Sequence, residues 1–324
     1  MNRRRALALL ALLIATRPAR AQAPAPTWPT HTVKLIVPFG AGSTPDVIMR
    51  LIADRLKAKL GQTFIVENKP GASGNLGTDA VAKAEPDGYT LGLSIGGPLA
   101  INPILFGQLP YDPKKDLTLV TLLATQPSAL AVNTELGVGS VAELIALLKK
   151  SPGKYNFGSI GVGSLSHLAM EAIALESGTQ IVHVPYPSSP AAVTALLRND
   201  VQMVCLPAIS VTPQAAAGKL KILAVSTARR SALMPGIPTL KESGIDVEAD
   251  AWNGLIAPAK TPPAIIAAVR AAVIEALAAP DVRAKLAAQI MEPIPSTPEE
   301  FRARIDADIA RWAPVIKAAN IKVN

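Results

Sequence analysis

The chain has 324 residues, of which 32 are Lys or Arg, 24 are Asp or Glu and 4% are aromatic, with a single cysteine and three histidines. One cysteine excludes an intramolecular disulfide and a cysteine metal cluster, and the scattered histidines lack metal-ligand spacing. The net charge of +8 overstates the basic character, because five arginines and no acids fall within residues 1–21 and leave +3; with no basic run carrying interleaved aromatics, nucleic acid is not an expected partner.

Arg3, Arg4 and Arg5 precede an apolar run over 6–15, and Ala19-Arg20-Ala21 places small residues where a signal peptidase reads them. Residues 1–21 are expected to be a signal peptide cut after Ala21, since the run is shorter than the ~20 residues a membrane span needs. The mature chain is therefore expected in the periplasm. An apolar run over 33–37 predicts a strand. It ends at Pro38 and gives way to Phe39-Gly40-Ala41-Gly42-Ser43, after which apolar spacing predicts a helix over 46–60 closed by Gly61. A strand, a glycine loop and a helix N-terminus together present free N–H groups and the positive end of a helix dipole, which suit an anion. A strand over 63–67, a glycine loop over 71–77, a helix from 78 and a strand over 89–94 follow. This alternation predicts a parallel sheet covered by helices.

The rhythm restarts after an apolar passage over 117–132. Helices are predicted over 141–149, 166–176 and 191–197, and strands over 155–159, 181–185, 201–206 and 220–226. The first junction is repeated at Ser159-Ile-Gly161-Val-Gly163-Ser164, which leads toward His167. A second apolar passage over 247–258 precedes helices over 263–278, 280–289 and 298–319. Two such units joined by two passages poor in linker residues predict two α/β lobes, 22–125 with 251–324 and 126–250, crossing near Gln126 and near Asp250. A hinged cleft between lobes favours a small ligand.

Individual residues carry more than one reading. Gly40 and Gly42 allow both a tight turn and close approach by a ligand. Asp46 fits a partner for a ligand amine or an acceptor of first-turn N–H groups. Ser164 fits a helix cap or a ligand contact. His167 and His183 read as structural, Tyr186 as a cleft contact at a strand end, and Cys205 as a buried apolar residue. No Gly-x-Ser-x-Gly elbow and no phosphate-binding Gly-x-x-x-x-Gly-Lys-Ser/Thr loop occurs, and 71–77 lacks dinucleotide spacing. Ser164 with His167 lacks a third orienting group.

With these segments in place, the chain resembles the Bug receptors, the substrate-binding proteins of tripartite tricarboxylate transporters. The landmarks are Ile36-Val-Pro-Phe39 with Asp46 and Arg50, Val66-Glu-Asn-Lys-Pro-Gly-Ala72, Pro86-Asp-Gly-Tyr-Thr-Leu91, Ser164-Leu-Ser-His167, His183-Val-Pro-Tyr186 and Trp252-Asn-Gly-Leu-Ile-Ala-Pro258. The resemblance implies a two-lobed type II periplasmic-binding-protein (Venus flytrap) fold with two crossover segments, no catalysis and no cofactor. It implies a small organic acid as ligand, delivered to small and large membrane permease subunits; the receptor is expected to be a monomer. By the same resemblance the ligand is gripped by Phe39, Gly40, Ala41, Gly42 and Ser43, with Asp46 beyond. The other lobe supplies Ser159, Gly161, Gly163, Ser164 and His167, and Gly74 and Asn75 form a third edge. Ser43 and Ser188 stand where the family commonly has glycine, which leaves the ligand's identity open. The rival readings are a ligand-binding partner of a sensor kinase and an exported α/β hydrolase.

Overall fold

The computed structural model describes residues 28–323; the signal-peptide segment and its cut after Ala21 lie outside them. The chain first builds β1 (Val33–Val37), α1 (Thr44–Leu60), β2 (Phe64–Asn68), α2 (Asn75–Ala82), β3 (Thr90–Ile95), α3 (Asn102–Leu105) and β4 (Leu117–Gln126). Next come β5 (Ser128–Asn133), α4 (Val141–Lys150), β6 (Asn156–Ser159), α5 (Leu165–Ser177), β7 (Val182–Pro185), α6 (Ser189–Leu197), β8 (Met203–Pro207), α7 (Ala208–Ala216) and β9 (Leu220–Val225). It closes with β10 (Ala251–Pro258), α8 (Pro263–Ala278), α9 (Pro280–Ala288), the short β11 (Glu292–Pro293) and α10 (Pro298–Ala318).

Local chemistry sets the element bounds. Pro45 occupies the first turn of α1, where its missing N–H costs nothing, and Gly61 ends the helix in the left-handed region with its N–H on the Lys57 carbonyl. Between them Ile48, Met49, Ile52 and Leu56 are buried at helical spacing. Val33, Leu35, Ile36 and Val37 are at most 3% exposed, as expected of a parallel strand covered on both faces. Thr297 and Glu300 form a reciprocal capping box that starts α10.

Two sheets result, in the orders β11-β4-β10-β3-β1-β2 and β7-β6-β8-β5-β9. Both follow one plan. Three parallel strands are followed by an antiparallel strand that arrives from the other unit, β10 between β3 and β4 and β5 between β8 and β9. The strands of each βαβαβ run are parallel as expected, and each sheet as a whole is mixed for a geometric reason. A chain that leaves one sheet at its C-terminal edge enters the other at the matching edge, and so runs backwards through it. The apolar passage over 117–132 is accordingly two strands in different sheets, parted at Pro127.

The two crossings are tied together. The Ser128 hydroxyl donates to the Ala249 carbonyl at 2.9 Å, and the Ser226 N–H donates to the Ser128 carbonyl at 2.8 Å. α10 serves both units. Phe301 and Ile305 pack with Trp252 and Leu119, whereas Trp312 and Ile316 pack with Phe157 and Leu168.

Candidate functional site

Strand register decides which loops can meet. β10 begins at Ala251 opposite Gln126, and its Asn253 lies opposite Ile95, so β3 and β4 end where the returning chain enters. β5 begins at Ser128 opposite Pro207, the last residue of β8. β1 and β2 run parallel to β3, and β6 and β7 run parallel to β8. The loops after β1 and β2 therefore lie on the edge of one sheet, and those after β6 and β7 on the edge of the other. The crossings join these same two edges, and the C-terminal edge is where open α/β sheets take ligands. Open surface concavities also lie elsewhere among the described residues. One of about 320 Å³ lies beside Phe106, Tyr111 and Ile309, and one of about 340 Å³ lies at the opposite edge of the second sheet beside Asn156 and Gln202.

The first-unit loop is held from beneath by Asp46, which is only 2% exposed. Its carboxylate accepts the Gly42 N–H at 2.9 Å, the Asn68 amide at 2.8 Å and the Arg50 Nε–H at 3.0 Å. Burial opposes its ionisation, but the hydrogen bonds from Arg50, Gly42 and Asn68 together hold the carboxyl below the usual carboxylate range. It does not accept first-turn N–H groups of its own helix. It braces the loop that precedes its helix. Asn68 also donates to the Phe39 carbonyl at 2.9 Å, so Phe39 is fixed by backbone. The Phe39 ring lies over Gly74, where a Cβ would stand 3.1 Å from it. Asn75 is buried and accepts the Asn102 amide at 2.7 Å and the Tyr111 hydroxyl at 2.9 Å, which braces the turn rather than facing the edge.

Gly42 adopts φ +79° and spends its N–H on Asp46. The donors left over are its neighbours. Among the described residues no protein acceptor takes the N–H groups of Gly40, Ala41, Thr44 or Asp46, and the buried Ser43 hydroxyl also lacks a partner. Pro45 contributes no N–H at all.

The second-unit loop repeats this economy. Gly161, at φ +126°, donates to the Ser159 hydroxyl at 3.1 Å, and its carbonyl accepts the Ser164 hydroxyl at 2.7 Å. Gly163 donates to His167 Nδ1 at 3.1 Å, and Ser164 caps α5 by accepting the His167 N–H at 3.3 Å. Ile160 donates to the Ser166 hydroxyl at 3.1 Å. The N–H groups of Val162, Leu165 and Ser166 remain without a protein acceptor among the described residues. Tyr186 continues the sheet, donating its N–H to the Ser159 carbonyl at 2.9 Å, while its ring lies against Gly158.

Sequence reading thus located both loops, and of the residues it named, the N–H groups of Gly40, Ala41 and Asp46 and the Ser43 hydroxyl stand without a protein acceptor among the described residues. Thr44, Val162, Leu165 and Ser166 were missed; the signal that finds them is the rule that first-turn N–H groups have no helical acceptor. The named glycines shape the loops, and Ser159, Ser164 and His167 brace them.

Beneath the second loop the His167 and His183 rings stack at 3.7 Å and 11°, with Phe157 beside both, 5.0 Å from His183 and 6.0 Å from His167. His183 Nε2 lies 2.6 Å from the Ser159 hydroxyl. His167 Nδ1 accepts from Gly163, so its proton sits on Nε2, which faces Glu171 at 3.5 Å. Burial first, and the neighbouring His167 second, lower the His183 pKa to about 4, with Glu171 pulling the other way. The unfolded chain takes up this proton first, so the contribution to stability is full above about pH 6.5 and is lost as pH falls toward 4. Water reaches this half-buried ring and screens part of the effect, so the expected loss is about 1–2 kcal/mol. His183→Phe, which keeps a stacked ring without a titrating group, should flatten the pH dependence across that window in urea unfolding. An unchanged pH profile would contradict it. Ser159 with His183 is not a hydrolytic pair, since Ser159 is 0% exposed and its hydroxyl is shared with Gly161.

A family model for the tripartite tricarboxylate transporter family receptor matches residues 48–321. The chain is 36% identical over an alignment of 325 residues to the protein BugT of Bordetella pertussis, covering all of both. Among solved structures it is similar to R. palustris Rpa4515 with adipate, at 35% identity and TM-score 0.81, covering 91% of this chain and 99% of that one. It is also similar to MatC from Rhodopseudomonas palustris with bound malate, at 31% identity and TM-score 0.75, covering 89% and 99%. Proteins of this kind are periplasmic solute-binding proteins and not enzymes. With its two-lobed binding-protein fold, the chain belongs to the tripartite tricarboxylate transporter receptor family, the Bug receptors.

Proposed function

We propose that this receptor captures a small carboxylate between its two lobes in the periplasm and presents it, as a monomer, to a permease of small and large membrane subunits. The moving bodies in this reading are 22–125 with 251–324 and 126–250. One observation carries it: two sets of unclaimed first-turn N–H groups, one beside Ala41 and Thr44 and one beside Val162 and Leu165, lie on the two sheet edges that the crossings join. The open protein takes the ligand on one set, and closure brings the other to it. The adipate and malate held by the Rpa4515 and MatC structures support a carboxylate as the guest.

The energetics are consistent with two cups rather than one. A micromolar complex needs about −8 kcal/mol. A helix dipole supplies roughly 0.3–1 kcal/mol at an exposed end and up to ~2 when partly buried. Charge-assisted hydrogen bonds at ~1.5–3 kcal/mol each must carry most of the rest, and one lobe offers too few. Thermal unfolding with a panel of small acids and their amides tests the reading. A ligand at 100 times its Kd adds about 2.7 kcal/mol of stability. At least one acid is expected to raise Tm while its amide does not; shifts from amides alone would overturn carboxylate capture.

A further inference from the structure

The loops on the facing edges carry an unusual pairing of features. Among the described residues, three of the seven large apolar side chains that stand exposed lie there: Leu76 at 54%, Ile160 at 40% and Val162 at 44%. Leu76 is in the first turn of α2, beside the turn at Gly71, while Ile160 and Val162 flank Gly161. The same loops, 38–43, 69–74, 160–164 and 186–188, hold one basic residue, Lys69. Its ammonium lies 3.3 Å from the Glu67 carboxylate. Nearby Arg50 is engaged by Asp46 and Asn68. Anionic charge brought to these edges therefore meets amides and hydroxyls, and among the described residues these loops offer no unpaired cation to neutralise a second or third charge.

Exposed branched aliphatics on both edges are poor neighbours for a ligand dense in hydroxyl and carboxyl groups. Each buried methylene contributes ~0.8 kcal/mol only if the guest offers carbon in return, and a hydroxyl pressed against leucine or isoleucine loses its water without a partner. We propose that this receptor's ligand is an acid with a bare hydrocarbon body of several carbons. Its carboxylate sits on the free amides, and its carbon chain lies between Leu76 of one lobe and Ile160 and Val162 of the other. This rests on the carboxylate-receptor reading and narrows it, with those three residues setting specificity.

Isothermal titration of the mature chain with succinate, adipate, malate and citrate tests this. The expected order is adipate over succinate by about fifteenfold, at about fourfold for each of its two additional methylenes, with malate below succinate and citrate weakest. Ile160→Ser with Val162→Ser, and separately Leu76→Ser, are expected to weaken adipate about tenfold and succinate less than threefold. Exposed as they are, the three side chains should leave Tm nearly unchanged, which separates lost specificity from lost folding. Tighter binding of malate or citrate than of adipate, or serine variants that hold adipate like the parent, would overturn the proposal while leaving carboxylate capture intact. Failure of every acid to bind would overturn both.

Discussion

Replacing Arg304 with methionine is expected to cost about 3–5 kcal/mol of folding stability, the penalty for removing one partner from a buried ionic cluster. Arg304 reaches Asp250 at 2.6 Å, Glu248 at 3.4 Å and Asp308 at 3.4 Å. Arg311 adds contacts to Glu248 at 3.2 Å and Asp308 at 2.9 Å, and the Trp252 indole donates to Asp308 at 2.7 Å. Thr125 donates to Asp250 from the end of β4. The cluster thus pins α10 to the second crossing. Asp250 and Asp308 are 7% and 4% exposed, so neither can recover its hydration if the guanidinium goes.

The pH dependence of the variant distinguishes this from simple loss of packing. Burial already pushes the Asp308 carboxyl up, against the pull of Arg304, the Trp252 N–H and Arg311. Without Arg304 that pull weakens, and Asp308 in the folded variant takes a proton more readily. The deficit relative to the parent should therefore shrink as pH falls from 7 toward 5, because the folded variant gains protons the parent does not. Urea unfolding at the two pH values measures it, and a melting point roughly 10 °C lower at pH 7 should accompany it. A loss under 1 kcal/mol, or a deficit that grows on acidification, would contradict the account.

The sequence made the periodic elements plain and hid what depends on distant contacts. β1 falls on the apolar run over 33–37, and α1, α8 and α9 fall within two residues of the apolar spacing that announced them, because each buries a regular face. α7 escaped notice: Pro213 lies inside it, and β8 runs into it with no intervening loop to mark its start. The π-helical turn Gly97–Ile101 and α3 were hidden by Pro98 and Pro103. The antiparallel insertion of β10 was invisible because direction within a sheet is set by where the chain re-enters, not by residue pattern. At the site, the two loops were legible as glycine-rich junctions. The donors were legible only in part: Gly40, Ala41, Ser43 and Asp46 were named, but Thr44, Val162, Leu165 and Ser166 were not, since whether an N–H is free depends on side chains such as Asp46, His167 and Ser166 that reach back to claim its neighbours.

Valine at Gly161 or at Gly42 is expected to weaken ligand binding at least a hundredfold while costing only about 1–3 kcal/mol of stability. At both positions a Cβ would meet open space, with nothing within 4 Å, so the damage comes from backbone angle alone. A β-branched residue cannot hold φ +126° or +79°, and the loop has to re-form. At Gly161 the re-formed loop withdraws the carbonyl that holds the Ser164 hydroxyl and the N–H that Ser159 accepts. At Gly42 it takes one N–H from Asp46, which keeps Arg50 and Asn68, and it displaces the free N–H groups of Ala41 and Thr44 that flank the turn. A hundredfold change is ~2.8 kcal/mol, about one to two charge-assisted hydrogen bonds. Gly236→Ala is the control, because Gly236 lies outside the left-handed region and outside the two loops and also faces open space; its binding should be unaltered. Titration of each variant with an acid that stabilises the parent, beside its melting curve, gives both numbers. If binding and melting suffer alike, or Kd moves less than tenfold, the two turns are scaffolding, and the anion is gripped elsewhere on the facing edges.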